Sequence, residues 1–78
     1  MKKTWRESVW DAIQRVAARH GSNVVTRQQI IEEELETITA ETDSIGETPD
    51  QTLSYELQNL RDEGRIRFLG NGGYQITR

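Results

Sequence analysis

The chain has 78 residues, with 10 Lys and Arg against 13 Asp and Glu, for a formal net charge of −3. That length holds one small domain, residues 1–78, and a hydrophobic content of 33% restricts it to an economical core. The lack of cysteine excludes disulfides and thiolate-bound zinc, the single His20 cannot build a metal site alone, and no apolar run reaches membrane-spanning length. With no secretory leader visible, the expectation is a soluble, cytoplasmic protein without a cofactor.

The charge is polarised along the chain. From Gln28 to Leu60 there are nine acidic residues and no Lys or Arg; the remainder carries all ten basic residues and four acidic ones. Such a protein can turn a positive side toward phosphates and leave its acidic side in water. An ordinary solvated acidic helix face accounts for Glu32 to Glu36 equally well. An acidic surface is also expected of a protein that works in high salt, where phosphate contacts weaken steeply.

Three helix starts carry the capping-box signature: Thr4 with Glu7, Thr26 with Gln29, and Thr48 with Gln51. In each, a Thr hydroxyl accepts from the third backbone N–H and the Glu or Gln reaches back to the cap. Pro49 then occupies a first helical position, where its missing N–H costs nothing. The first helix is predicted from about Trp5 to His20. Trp5, Val9, Ala12, Ile13, Val16 and Ala17 share its buried face, and Gly21 is its stop. Val24 and Val25 read as a short strand. The second helix is predicted from about Arg27 to Ile38, with Ile31, Leu35 and Ile38 inward and Glu32, Glu33 and Glu36 outward.

Thr39 to Glu47 is polar and without periodicity, and is expected to be a loop. The third helix is predicted from Pro49 to about Glu63, with Leu53, Leu57 and Leu60 as one buried stripe and Gly64 as its end. Two strands, Arg65 to Leu69 and Tyr74 to Thr77, flank the turn Gly70-Asn71-Gly72-Gly73. In the first of these, Arg65 and Arg67 alternate with Ile66 and Phe68, so the apolar pair is expected to cover the core. Helix, short strand, helix, helix, hairpin is the order of an α+β winged helix-turn-helix. The hairpin is the wing and the third helix the one free to enter a groove.

With its leucines inward, the third helix turns Gln51, Ser54, Tyr55 and Gln58 outward and Thr52 and Asn59 to the flank. Uncharged donors and acceptors suit base edges in a major groove. A plain polar surface helix has the same composition, and the wing and element order favour DNA. Arg27, Arg67, Lys2, Lys3 and Arg6 are candidate backbone contacts, and Asn71 at the wing tip is another, although Asn-Gly is also what a tight turn demands.

No catalytic constellation is visible. The only His lies at a helix C-terminus, where positive charge is favoured by the helix dipole alone. Glu32, Glu33 and Glu34 are consecutive on a helix and point in different directions, and no helix or Lys follows Gly70–Gly73 to make a phosphate loop. The chain is expected to have no enzymatic activity of its own.

The stretch LSYELQNLRDEGRIRFLGNGGYQI, Leu53 to Ile76, closely resembles the C-terminal winged-helix domain of DpnI-type restriction endonucleases, which cleave adenine-methylated GATC. The resemblance is carried by Leu57-Gln58, Leu60-Arg61-Asp62, Gly64, Ile66, Phe68-Leu69-Gly70, Gly72 and Tyr74, with Trp5 at the opening of the first helix. Ser54 and Tyr55 stand where such sequences tend to carry basic or amide side chains. The resemblance implies a monomeric module that reads N6-methyladenine in double-stranded DNA, with any nuclease active site in a separate domain outside this chain.

The two N6-methyl groups of a fully methylated GATC site lie side by side in the major groove, where a small apolar surface can desolvate both. Tyr55, which faces outward, is the first candidate for that surface. Trp5 is the second: its helical phase favours the core, but its place at the helix end lets the ring reach past the edge. The rival expectations are a winged-helix transcription regulator without methyl preference and a protein-interaction winged helix that never touches DNA.

Overall fold

Thr4 starts the first helix as the sequence predicts. In the computed structural model, which describes residues 3–42 and 49–77, its hydroxyl accepts from the Glu7 N–H at 3.1 Å, and the Glu7 carboxylate accepts from the Thr4 N–H at 3.2 Å. Helix α1 runs Trp5–His20 and ends at Gly21 in the left-handed region (φ 63°), with the Ser22 N–H bonded back to the Ala17 carbonyl at 3.0 Å. A second reciprocal capping box at Thr26 and Gln29 starts α2, Arg27–Glu41. Helix α3 spans Pro49–Asp62; its predicted cap, Thr48, lies outside the described residues.

Strands β1 (Val24–Thr26), β2 (Ile66–Gly70) and β3 (Gly73–Ile76) form one antiparallel sheet in the order β1-β3-β2. The register sets Val25 opposite Tyr74 and Tyr74 opposite Phe68 on one face. On the other face Val24 and Arg67 both pair with Gln75. Three helices with a small antiparallel sheet closing one side make an α+β architecture compatible with a winged-helix-like fold.

The core is the meeting of three helical stripes. Val9, Ala12, Ile13 and Val16 of α1, Ile30 and Ile38 of α2, and Leu53, Leu57 and Leu60 of α3 are each essentially inaccessible, and the sheet adds Val25, Ile66 and Tyr74. The predicted stripes of α1 and α3 are therefore the observed ones. Trp5 is the exception on α1: it is half-buried and packs against the edge of the cluster.

Helix α2 differs from the sequence expectation in phase and in length. Ile38 is buried as expected, but the other core positions are Ile30 and Glu34, and the expected inward residues Ile31 and Leu35 are only half-buried. A carboxylate replaces an apolar group in that stripe because α1 supplies cations to meet it. Arg15 places Nε and Nη2 at 3.0 and 2.6 Å from Glu34, and Arg19 places Nη2 at 2.9 Å. Glu33 takes the second nitrogen of Arg19 at 2.6 Å and His20 at 2.9 Å.

Helix α2 also continues through Thr39, Ala40 and Glu41, where the polar, aperiodic sequence predicts a loop; residues 43–47 of that expected loop lie outside the described residues. The added turn is anchored by the buried Ser8 hydroxyl, which donates to the Glu41 carboxylate at 2.8 Å. A long-range contact of this kind leaves no periodic trace in a local sequence window.

The hairpin also departs from simple alternation. Asn71 (φ 52°) and Gly72 (φ 75°) form a two-residue turn of the I′ kind, which needs positive φ at both positions. A bulge between Phe68 and Gly70 shifts the register, leaving Leu69 46% exposed. Ile66 enters the core as expected. Phe68 does not: it is 37% exposed, with its ring against Tyr74 at 5.2 Å and under the Arg61 guanidinium at 4.7 Å.

Candidate nucleic-acid interface

Burying Leu53, Leu57 and Leu60 dictates what α3 shows to solvent. Tyr55 is 62% exposed, Gln51 and Gln58 are exposed, and Ser54 and Thr52 are half-buried on the shoulders of the helix. Asn59 is turned to the flank, where its amide donates to Glu56 at 3.3 Å. Gln51, Ser54, Tyr55 and Gln58 line a shallow depression of about 300 Å³ together with Asp50 and Arg27. The structure thus brings the predicted α3 residues together and adds to them a guanidinium from another helix.

Arg27 owes its position to the cap before it. As the first residue of α2 after Thr26, it donates its backbone N–H to the Gly72 carbonyl in the hairpin turn at 2.8 Å. Its side chain donates from Nη2 to the Asp50 carbonyl at the start of α3 at 3.1 Å. Nη1 is buried with no hydrogen-bond partner among the described residues. A second depression, of about 440 Å³, contains Arg27 with Thr26, Gln28, Asn71 and Gly72, so one residue borders both the helix face and the hairpin tip. Burial pushes the nearby Tyr74 phenol above its ordinary range, partly offset by the positive charge of Arg27.

The electrostatics of the other cations sort them sharply. Arg15 and Arg19 are consumed by Glu34 and Glu33. Lys3 lies 2.8 Å from Asp11 and 3.4 Å from Glu41. Arg6 reaches Glu56 at 3.2 Å and Glu63 at 2.8 Å, which ties α1 to α3. Arg65 sits 3.2 Å from Glu63 and 5.4 Å from the Trp10 ring. Arg61 pairs with Asp62 and lies 4.7 Å over the Phe68 ring. Hydrogen bonding to Asp11 raises the Lys3 ammonium above its ordinary range, and Glu56 does the same for the Arg6 guanidinium. Among the described residues, Arg27 and Arg67 are the Lys and Arg side chains with no carboxylate within 4.0 Å.

Comparison of the chain with protein-family models, with curated proteins and with solved structures found no match.

The remaining predicted residues fall in two places. Arg67 and Asn71 are exposed on the β2–β3 hairpin, the former beside Gln75 on the outer face of the sheet and the latter at the turn. Lys3, Arg6 and Trp5 line a different depression of about 770 Å³ with Trp10, Glu56 and Arg65. It shares no residue with the one under Tyr55, so the structure does not bring the two aromatic candidates, Tyr55 and Trp5, into one site. Among the described residues, no helix is long and apolar enough to cross a membrane.

The sequence marks Arg27 as a candidate phosphate contact but does not show that it joins α2, α3 and the hairpin turn. The adjacent Thr26 cap was the available signal. The pairing of Arg65 with Trp10 and of Arg6 with α3 carried no signal, since both depend on how separate elements come together.

Proposed function

We propose that this chain is a winged helix-turn-helix module that binds double-stranded DNA and reads N6-methyladenine, in G(m6A)TC, as the specificity domain of a methyl-directed restriction endonuclease. The observation that carries the reading is the outward face of α3. Tyr55, Gln51 and Gln58 are free to meet a duplex, and Arg27, which has no carboxylate partner among the described residues, stands between that face and the hairpin. The resemblance of Leu53–Ile76 to DpnI-type domains supplies the methylated target.

In this reading α3 lies in the major groove. Gln51 and Gln58 offer paired donor and acceptor groups to base edges, and Ser54 and Thr52 offer hydroxyls. The Tyr55 ring lies over the two N6-methyl groups at the centre of the site. The Arg27 guanidinium and the Asn71 amide take phosphates on either side of the groove. The module has no catalytic role, and cleavage belongs to a separate nuclease domain.

One observation favours a protein-interaction module instead: most of the described cations are engaged by the chain's own carboxylates. A titration of fully methylated, hemimethylated and unmethylated GATC duplexes at fixed salt separates the readings. The proposal expects the fully methylated duplex to bind tightest. Equal affinity for all three leaves a DNA-binding regulator without methyl preference, and no binding to any duplex at low salt leaves the protein-interaction module.

A further inference from the structure

We infer that the duplex contact of this chain is carried by non-ionic groups, with Arg27 and Arg67 as the cations of its described residues that contribute to it, so that binding persists at salt concentrations that dissociate most DNA-binding domains. The inference rests on the DNA-binding reading of the α3 face.

The chain has 10 Lys and Arg, of which Lys2 and Arg78 lie outside the described residues, leaving eight. Six of the eight are held by carboxylates of the chain itself: Lys3 by Asp11, Arg6 by Glu56, Arg15 and Arg19 by Glu34, Arg61 by Asp62, and Arg65 by Glu63. A cation already paired is a poorer phosphate contact than a free one, chiefly because leaving its partner strands a carboxylate beside the DNA. Among the described residues, Arg27 and Arg67 have no such partner. The Arg27 side chain borders the depression under α3, where Nη2 holds the Asp50 carbonyl. Arg67 is exposed on the wing.

Each phosphate neutralised by a protein cation releases counterions, and the logarithm of affinity falls with the logarithm of salt by about 0.9 per contact. Two contacts give a slope of about −2 and a loss of about 60-fold between roughly 0.1 and 1 M salt. Eight contacts would give a slope of about −7 and a loss of about ten-million-fold over the same range. Even with Lys2 and Arg78 added to the two, the slope would reach only about −3.6. Non-specific association is almost wholly ionic, so the same count makes it weak. Discrimination between a target and bulk DNA then falls to the amide, hydroxyl and phenol groups of α3.

The test is fluorescence anisotropy of a labelled G(m6A)TC duplex against the intact chain, repeated from about 0.1 to 1 M KCl, with circular dichroism as a check on folding. The expected slope is about −2, and Arg27→Gln and Arg67→Gln each bring it closer to zero by about 0.9. Arg67→Gln is the cleaner variant, since the side chain is exposed and makes no hydrogen bond among the described residues, whereas Arg27 also holds the Asp50 carbonyl. A wild-type slope steeper than about −5 overturns the inference while leaving DNA binding intact. A slope unmoved by both substitutions also overturns it. Absence of binding at the lowest salt overturns the DNA-binding reading itself and this inference with it.

Discussion

Replacing Glu34 by Gln removes the one carboxylate in the core-facing stripe of α2 without changing its size. Glu34 is 3% exposed and accepts three hydrogen bonds, two from Arg15 and one from Arg19, at 2.6–3.0 Å. With charge centres about 4 Å apart and an effective dielectric of about 20, each guanidinium contributes about 4 kcal/mol of gross attraction. Desolvation of the carboxylate offsets several kcal/mol of this. The arginine side chains are 37% and 48% exposed and can rehydrate when released, which reduces the cost of breaking the cluster. A net loss of about 2–3 kcal/mol remains. Unfolding entropy for a chain of this length makes 1 kcal/mol worth about 6 °C, so the thermal midpoint should drop by about 12–18 °C.

The pH dependence follows from the same cluster. Burial alone would push the Glu34 carboxyl up, but the hydrogen bonds and charges of Arg15 and Arg19 reverse this and hold it below the ordinary range. Its stabilisation is therefore complete above the unfolded value of about 4.3 and is lost as pH falls through the lower folded value. Thermal melts followed by circular dichroism at pH 7 and again near pH 2 read both effects. The wild type should exceed Glu34→Gln by the stated margin at pH 7 and converge on it in acid. A variant as stable as wild type at pH 7, or a gap that survives full protonation, would refute the reasoning.

Tyr55→Ala should leave stability within about 0.5 kcal/mol, since the ring is mostly exposed. It should weaken binding to fully methylated GATC by about tenfold to fifteenfold, from two methyl groups at about 0.8 kcal/mol each, with no change for the unmethylated duplex; isothermal titration of both duplexes checks it. Thr26→Ala removes the cap that starts α2 and should cost about 1 kcal/mol in urea unfolding, with a loss of duplex affinity because Arg27 is the next residue. Leu57→Ala should cost about 2–5 kcal/mol by the same urea measurement. In a domain with a total stability of roughly 4–12 kcal/mol, that brings the chain close to unfolding at ordinary temperature.

The helices that align one unbroken apolar stripe with a cap at the start and a Gly at the end were legible in the sequence. Trp5–His20 and Pro49–Asp62 agree with their predicted bounds to within a residue. Helix α2 was legible in place but not in phase. Ile30 and Ile31 are neighbours, and a reading that excludes carboxylates from the core must choose the face with Ile31 and Leu35. Only the arrival of Arg15 and Arg19 from α1 makes Glu34 the better inward residue. Phe68 departs from its expectation because alternation within a strand gives a residue's face and not how much of that face the rest of the fold covers.

The same distinction runs through the candidate site. The outward residues of α3 follow from the leucine phase, so Gln51, Tyr55 and Gln58 could be named from sequence and are exposed. Which cations are free to meet phosphate depends on pairing between residues as much as 57 positions apart, as for Arg6 and Glu63. No local window contains that information, and Lys3 and Arg6 accordingly lie in ion pairs away from the α3 face.

The central claim, that the outer face of α3 and Arg27 meet a duplex, is tested most directly by nitrogen-proton NMR of the labelled chain as G(m6A)TC duplex is added. The account predicts amide shifts concentrated at Arg27, Gln51, Ser54, Tyr55, Gln58 and Asn71, with the exposed acidic side of α2 around Glu32 and Glu36 unmoved. Shifts confined to α2, or a spectrum unchanged at saturating duplex, would contradict it.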